Sequence, residues 1–295
     1  MDRAPIGIVG LGLVGQSLGE RLRAAGWPTL GFDLRPEAVD AFQRAGGIAA
    51  ASVREVGQNC DCVLLAVFDT HGVIATVESQ DGLLAPGHRV RTVIDCSTGS
   101  PELLEPLAQR LKNSGVDFIE APLSGSSRQI AAGEATLLIG GDSDAIARCD
   151  DLLEAIATRR IHAGSAGMGA KAKLATNLVL GLNRAALAEG MVFAQALGIE
   201  PDRFLAMVLA TPARSDAADI KGPLMVRGDF APQSRIRQHL KDVDLMLDSA
   251  RIAGLPLPLS QAHAQLMRDA IAAGDGDLDN AAIIRQLRRA GDMPQ

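Results

Sequence analysis

Short apolar runs alternate with amphipathic stretches through the first half of the chain, and that rhythm predicts most of its elements. Ile6, Ile8 and Val9 make an apolar run that stops at Gly10-Leu11-Gly12-Leu13-Val14-Gly15; Leu18, Leu22 and Ala25 then recur at helical spacing up to Gly26. A second strand over residues 29–33 closes at Asp33. The alternation continues with a helix near 36–45, a strand at 62–67, a helix near 71–78, a strand at 92–96, a helix at 101–114 and a strand at 117–120. Strand 135–140 and a helix within 142–157 complete the series. Ser100-Pro101-Glu102 is a good helix start, with a cap oxygen, a proline in the first turn and an acid near the positive end. Repeated βα units predict a doubly wound α/β domain with a parallel sheet and helices on both faces, ending near residue 162.

The second half reads differently. Gly164-Ser165-Ala166-Gly167-Met168-Gly169-Ala170 is the clearest break in composition and predicts a domain junction. A helix from about 169 to 197 follows, apolar nearly all round, which predicts a central and buried position. Beyond residue 200 no strand alternation appears, and helices near 201–210, 238–253, 258–273 and 279–290 predict an all-α domain. The expected division is residues 1–162 and 163–295.

The turn after the first strand is a G-x-G-x-x-G in strand–turn–helix context, the fingerprint of a Rossmann-type dinucleotide site. The first glycine permits the tight turn, the second lets backbone approach a pyrophosphate, and the third lets helix and strand pack closely. The helix N-terminus then offers N–H groups and a positive dipole end to the phosphates. Asp33 stands where a carboxylate accepts hydrogen bonds from the adenosine ribose, which favours NAD over NADP. Arg35, two residues on, is either a solvated loop charge or a partner for a 2′-phosphate.

Composition narrows the function further. A formal charge of −6 and a pI near 5.4 argue against a nucleic-acid partner, and the pairs Arg159-Arg160 and Arg288-Arg289 are too short to reverse that. The first strand begins by about residue 5, leaving no room for a secretory leader, so a cytoplasmic location is expected. The most apolar segment, 174–197, is interrupted by Asn177, Asn183, Arg184 and Glu189, so no membrane span is expected. Cys60, Cys62, Cys96 and Cys149 read as small core residues without metal-ligand spacing, and the five histidines form no H-x-x-x-H pair and follow no G-x-S-x-G turn. A metalloenzyme or hydrolase reading has no support.

Three stretches carry candidate chemistry. Residues 120–127, Glu-Ala-Pro-Leu-Ser-Gly-Ser-Ser, follow a strand, where doubly wound sheets bind ligands, although such composition also makes surface turns. Lys173 and Asn177 lie one helical turn apart on one face of the long helix, with Gly181 next along it. They are as readily a snorkelling lysine and a satisfied core amide as a catalytic pair. Lys241-Asp242, alone, reads as an exposed charge pair.

Taken together, Gly-Leu-Gly-Leu-Val-Gly at the N-terminus, Asp-Cys-Ser-Thr at 95–98, Ala-Pro-Leu-Ser-Gly at 121–125, Gly-Met-Gly-Ala-Lys-Ala-Lys-Leu-Ala-Thr-Asn at 167–177, Lys-Asp at 241–242 and Gly-Asp-Gly-Asp-Leu-Asp at 274–279 resemble the β-hydroxyacid dehydrogenases. That group contains 3-hydroxyisobutyrate dehydrogenase, tartronate semialdehyde reductase and, more distantly, 6-phosphogluconate dehydrogenase, and the likeness covers nearly the whole chain. The resemblance implies hydride transfer between NAD and a small hydroxy acid or its semialdehyde, with Lys173 as general acid/base and Asn177 as its partner. It implies substrate contacts at Ser124, Gly125, Ser126 and Lys241. It implies cofactor contacts at Gly10, Gly12, Leu13, Val14, Gly15, Asp33, Arg35, Val67, Thr98 and Lys241, and a homodimer or homotetramer. Family spacing from Gly167 selects Lys173 over Lys171. The chain departs from the family at Ser126, Thr176, Ser234 and Asp275, which adds polarity to the expected pocket and points to a sugar-acid substrate such as threonate or tartronate semialdehyde. A lysine serves as a base near neutrality only where burial and a positive helix end disfavour its charge. Competing readings are an imine or aldehyde reductase of the same superfamily, against which Lys173 speaks, and a non-catalytic dinucleotide-binding scaffold.

Overall fold

A computed structural model describes residues 3–291. The chain forms two compact units, one closing at Lys173 and the other beginning at Leu174.

The first unit is built on a nine-stranded sheet. Its strands are β1 (Ile6–Val9), β2 (Thr29–Phe32), β3 (Ile48–Ala49), β4 (Cys62–Leu65), β5 (Thr92–Asp95), β6 (Asp117–Glu120), β7 (Leu123–Ser124), β8 (Thr136–Gly140) and β9 (Arg159–Gly164). The order is β3-β2-β1-β4-β5-β6-β8-β7, with β9 beside β8. Strands β3 to β6 along that path are parallel, whereas β8 runs antiparallel to β6 and β7. Strand order reverses between β1 and β4, so the carboxyl ends of those two strands flank the switch point at which such sheets bind ligands.

Helices α1 (Leu13–Ala24), α2 (Pro36–Arg44), α3 (Val53–Asn59), α4 (Thr70–Glu78), α5 (Pro101–Asn113), α6 (Ser127–Ala132), α7 (Ser143–Arg148) and α8 (Asp150–Ile156) complete the unit. Alternate strand residues feed two separate cores. Ile8, Leu64, Ile94 and Ile119 pack with Leu18, Leu22, Phe42 and Leu153 on one face. Val9, Val63, Leu65, Val93 and Phe118 pack with Val56, Val73, Val77, Leu104 and Leu107 on the other. Burial on both faces is why these strands read as apolar runs rather than as alternating ones.

Several elements depart from the sequence reading. The helix expected within 142–157 breaks at Cys149, whose backbone (φ −104°, ψ 10°) ends α7 and starts α8, with Asp150 and Asp151 acidic in the new first turn. Strand β9 was not expected, and it carries the sheet on to Gly164, past His162. It lies at the margin of the sheet, and its exposed Arg159 and His162, with the half-buried Arg160 and the exposed Ile161 between them, hide it from any apolar pattern.

The second unit is helical. Helix α9 (Met168–Ala196) runs into it and is followed by α10 (Pro201–Leu209), α11 (Asp216–Arg227), α12 (Ile236–Ile252), α13 (Pro258–Ala272) and α14 (Ile283–Ala290). Helix α11 escaped the sequence reading because Gly222 and Pro223 interrupt it. Helix α9 is not buried all round: Lys173, Asn177, Gly181, Arg184, Ala188 and Met191 recur on one buried face, while Val179 and Phe193 stand 57% and 64% exposed. Its burial therefore follows the helical period although its composition does not. Leu174, Leu187 and Met191 join Leu205, Met225, Val243, Met246, Met267 and Ile284 in the unit's core. Among the described residues no helix is long and apolar enough to cross a membrane.

Candidate active site

The glycine turn has the geometry its chemistry requires. Gly10 sits at φ +91°, and a Cβ there would meet Ala66 O at 2.4 Å. A Cβ on Gly15 would stand 1.8 Å from Gly10 O, so α1 packs against the end of β1 only because this residue has no side chain. Above Gly12 the space is open, the nearest group being Arg35 Nη2 at 3.8 Å from a Cβ position. No side chain caps α1 and no acid lies in its first turn, so the N–H groups around Leu13 and Val14 are presented to an incoming anion.

The other expected cofactor residues follow the carboxyl ends of neighbouring strands. Asp33, after β2, accepts from Leu11 N at 2.7 Å on Oδ2 and from Arg35 N at 2.9 Å on Oδ1. Arg35 also reaches it in fork geometry, Nε to Oδ1 and Nη2 to Oδ2, both at 3.1 Å. Burial pushes the Asp33 carboxyl upward, but the Arg35 and Leu11 hydrogen bonds outweigh it and hold the group below its ordinary value. Val67, after β4, donates its N–H to Ser97 Oγ at 3.1 Å, beside Thr98. These residues thus gather along one edge of the sheet.

The last residue of β6 holds the start of α9. Glu120, 1% exposed, accepts backbone N–H groups from Gly167, Gly169 and Ala170, capping that helix with a buried carboxyl. Burial raises its pKa to about 7; the backbone donors oppose the shift, and Asp95, its register partner on β5, adds to it. Gly169 is there for contact, since a Cβ would meet Gly140 N at 2.8 Å and Leu138 O at 3.0 Å. One turn on, Lys173 is 7% exposed and donates from Nζ to Leu123 O at 2.7 Å, next to Ser124. Lys171 instead makes a surface ion pair with Glu105 at 2.6 Å. Gly125 is exposed, while Ser126 caps α6 in a reciprocal box with Gln129: its N–H donates to Gln129 Oε1 at 2.8 Å and its hydroxyl accepts from Gln129 N. The Ser126 hydroxyl is therefore engaged in holding a helix end.

In the second unit Asn177 donates from Nδ2 to Asp242 Oδ2 at 3.0 Å, both groups being buried. Lys241 lies 2.8 Å from Asp242 Oδ1 with 14% of its side chain exposed, which corrects the reading of Lys241-Asp242 as an exposed pair. Asp242 was missed as a site residue, although Ile236, His239, Asp242, Val243 and Met246 fall on one buried face at helical spacing. Asp275 is also corrected. It is 3% exposed and clamped by Arg285 at 2.8 Å and Arg289 at 2.7 Å, so its charge is absorbed by α14 and adds no polarity to a pocket. Ser234 lends its backbone N–H to Asp279 at 3.1 Å.

A mainly parallel sheet with its glycine turn at the switch point, and a buried lysine held beside a small-residue loop, define a dinucleotide-dependent oxidoreductase. Residues 5–164 match the model of the NAD-binding domain of 6-phosphogluconate dehydrogenase, and residues 167–287 match the NAD-binding model of NADP-dependent 3-hydroxyisobutyrate dehydrogenase. The chain is 34% identical to an L-threonate dehydrogenase of Cupriavidus necator over 95% of both chains. It is 27% identical to a 2-hydroxy-3-oxopropionate reductase of Escherichia coli over 96% of both. A crystal structure of a 3-hydroxyisobutyrate dehydrogenase from Salmonella typhimurium superposes with a TM-score of 0.85 at 30% identity, covering 96% of this chain and 99% of that one. The chain belongs to the β-hydroxyacid dehydrogenase family. It is accordingly an NAD(P)-dependent oxidoreductase acting on the CH–OH group of small hydroxy acids.

Proposed function

We propose that the chain interconverts a short sugar-type hydroxy acid, of the threonate or 2-hydroxy-3-oxopropionate class, with its carbonyl form, using NAD in preference to NADP and Lys173 as general acid/base. The observation that carries this reading is Lys173 itself, a buried amine whose Nζ is fixed on Leu123 O, one residue from Ser124. In oxidation Lys173 accepts the hydroxyl proton as hydride leaves the same carbon for the nicotinamide; in reduction it returns that proton to the forming alkoxide. Ser124 and the Gly125 backbone bind the carboxylate, Asn177 orients the reacting oxygen, and Lys241 contributes positive charge to the bound acid or dinucleotide. The sugar-acid class rests on the relatives named above, since Ser126 and Asp275 are occupied elsewhere.

NAD is favoured because Asp33 follows β2, where a carboxylate serves as the ribose acceptor, and because Arg35 is already paired with it, which lowers the value of that arginine to a 2′-phosphate. The apolar residues exposed on α9, Val179 and Phe193, support a homodimer or homotetramer, which light scattering tests. The four unbridged cysteines fit a cytoplasmic setting.

The test is a panel of short hydroxy acids and semialdehydes followed by nicotinamide absorbance with both cofactors, run in parallel on Lys173→Ala. The expected result is turnover with NAD and a sugar-type acid, falling roughly a thousandfold in the variant while dinucleotide affinity is kept. Turnover by Lys173→Ala near that of the native chain overturns the assignment.

A further inference from the structure

The end of β6 and the start of β7 hold the first turn of α9 at two points. Glu120 accepts the Gly167 N–H on Oε2 at 2.5 Å and the Ala170 N–H on Oε1 at 3.3 Å, and the Gly169 N–H is a third donor to the same carboxyl. One turn further along the helix, Lys173 Nζ donates to Leu123 O at 2.7 Å. The chain between these two grips is itself held by the sheet. Residues 120–123 are all buried, Ala121 N donates to Asp95 O at 2.7 Å, and Pro122 O accepts from Leu138 N at 3.1 Å. Ser124, proposed above to bind the substrate carboxylate, is the next residue. A cap drawn from a helix's own leading residues travels with the helix. This one comes from a strand, 47 residues before Gly167 and 50 before Ala170, so it registers α9 on the sheet. Two glycines make room for it. A Cβ on Gly140 would stand 2.5 Å from both Glu120 Oε2 and Gly169 N, and a Cβ on Gly169 would stand 2.9 Å from Glu120 Cβ.

On the assignment of Lys173 as general acid/base, we propose that Glu120 is a positioning residue for hydride transfer: through the first turn of α9 it fixes the Lys173 amine relative to Ser124, and its charge sets the pH range in which that amine accepts a proton. The two effects have separate physical origins. Position depends on the reach of the carboxyl, because both oxygens are engaged by backbone N–H groups and a shorter side chain cannot keep those bonds at length. Charge acts along the helix. An ionised Glu120 offsets the positive end of α9 and favours an ammonium at Lys173, whereas a neutral Glu120 leaves that end positive and favours the free amine. The other charged groups about this turn are Asp95, the register partner of Glu120 on β5, and Lys171, which is exposed and paired with Glu105 of α5. Burial opposes ionisation of Glu120 and Asp95 adds to that, the backbone donors favour it, and the carboxyl keeps its proton up to about pH 7. Lys171, already paired, favours the charged form from the surface.

The test compares the full native chain with Glu120→Asp, Glu120→Gln and Lys173→Ala, using the hydroxy acid of the panel above that the native chain oxidises fastest. Glu120→Asp keeps the charge and withdraws the carboxyl by one methylene. It should lower kcat roughly tenfold or more, while KM and dinucleotide affinity stay within about twofold. Glu120→Gln keeps the reach and removes the charge, so the acid limb of the pH profile for oxidation should move to lower pH by roughly one unit. A role confined to holding the fold together moves neither the kcat-to-KM split nor that limb. Dinucleotide titration confirms that each variant is folded, since it reads the glycine turn of the same unit; where Glu120→Asp does not bind, Glu120→Gln decides alone. An acid limb unmoved in Glu120→Gln, or kcat within about twofold of native in every folded Glu120 variant, overturns the proposal. Retained turnover in Lys173→Ala strikes the lysine assignment instead, and a dead Lys173→Ala beside fully active Glu120 variants strikes only the role given to Glu120.

Discussion

Asn177 gives its amide to Asp242 across 3.0 Å, and Asp242 at the same time lies 2.8 Å from the Lys241 ammonium. One carboxylate thereby holds both the amide proposed to orient the reacting oxygen and the lysine proposed to contact substrate. With Nδ2 engaged, the Asn177 carbonyl oxygen is the end that remains directed by this bond, so the amide cannot flip without losing it. Asp242→Ala should lower kcat on the order of a hundredfold, the scale set by misplacing reacting groups by about an ångström. Dinucleotide affinity, measured by fluorescence titration, should stay unchanged. A variant that loses affinity for the cofactor as strongly as it loses kcat would show that Asp242 is not a positioning residue for Asn177.

The Asp33–Arg35 fork bears on the choice of cofactor. Removing the carboxylate takes away the ribose acceptor and releases the guanidinium. Asp33→Ala should therefore weaken NAD roughly tenfold, a loss of about 1.4 kcal/mol, and weaken NADP less or strengthen it. Titration with both dinucleotides checks this, and equal loss of both counts against it.

Much of this arrangement was legible in the chain itself, for reasons that differ from residue to residue. The glycines at 10, 15 and 169 mark places where backbone meets backbone, and no other residue type fits, so sequence and geometry coincide there. Lys173 was separable from Lys171 through motif spacing, and burial separates them in the same way. Asp242 and Glu120 were harder to see because each is a buried acid whose role depends on a partner distant in sequence, Asn177 in one case and the start of α9 in the other. Asp275 misled in the opposite sense: a polar residue at an expected pocket position turned out to be neutralised by Arg285 and Arg289. Strand β9, lacking an apolar face, left no periodic signal at all.

Within the helical unit, Lys221 and Asp279 form a buried pair with Nζ at 2.8 and 3.0 Å from the two oxygens. Asp279 also accepts from the backbone N–H groups of Gln233, Ser234 and Ala281. Burial lowers the pKa of Lys221, and it lowers that of the neighbouring Arg184 to about 10, while Asp279 opposes both shifts. Asp279→Asn leaves two buried cations without their anion and should cost on the order of 3–5 kcal/mol in denaturant unfolding. A loss below about 1 kcal/mol would mean that solvent or another acid already balances them.

Glu120 makes stability depend on pH in an unusual direction for a carboxyl. Its pKa is about 7 in the folded chain, against an ordinary value of 4.5, because the buried site disfavours the charge. The folded state therefore binds this proton more tightly than the unfolded state does. The stabilisation is complete below the ordinary value and is lost as pH rises through about 7. The size of the effect is on the order of 3 kcal/mol for a group this buried. Glu120→Gln keeps an acceptor for the α9 N–H groups and removes the titration. Urea unfolding of both proteins at acid and alkaline pH should show the native chain losing stability relative to the variant as pH rises, with the change centred below neutrality. Parallel profiles would mean that the Glu120 proton is not held by the fold, and that the cap on α9 is a carboxylate throughout.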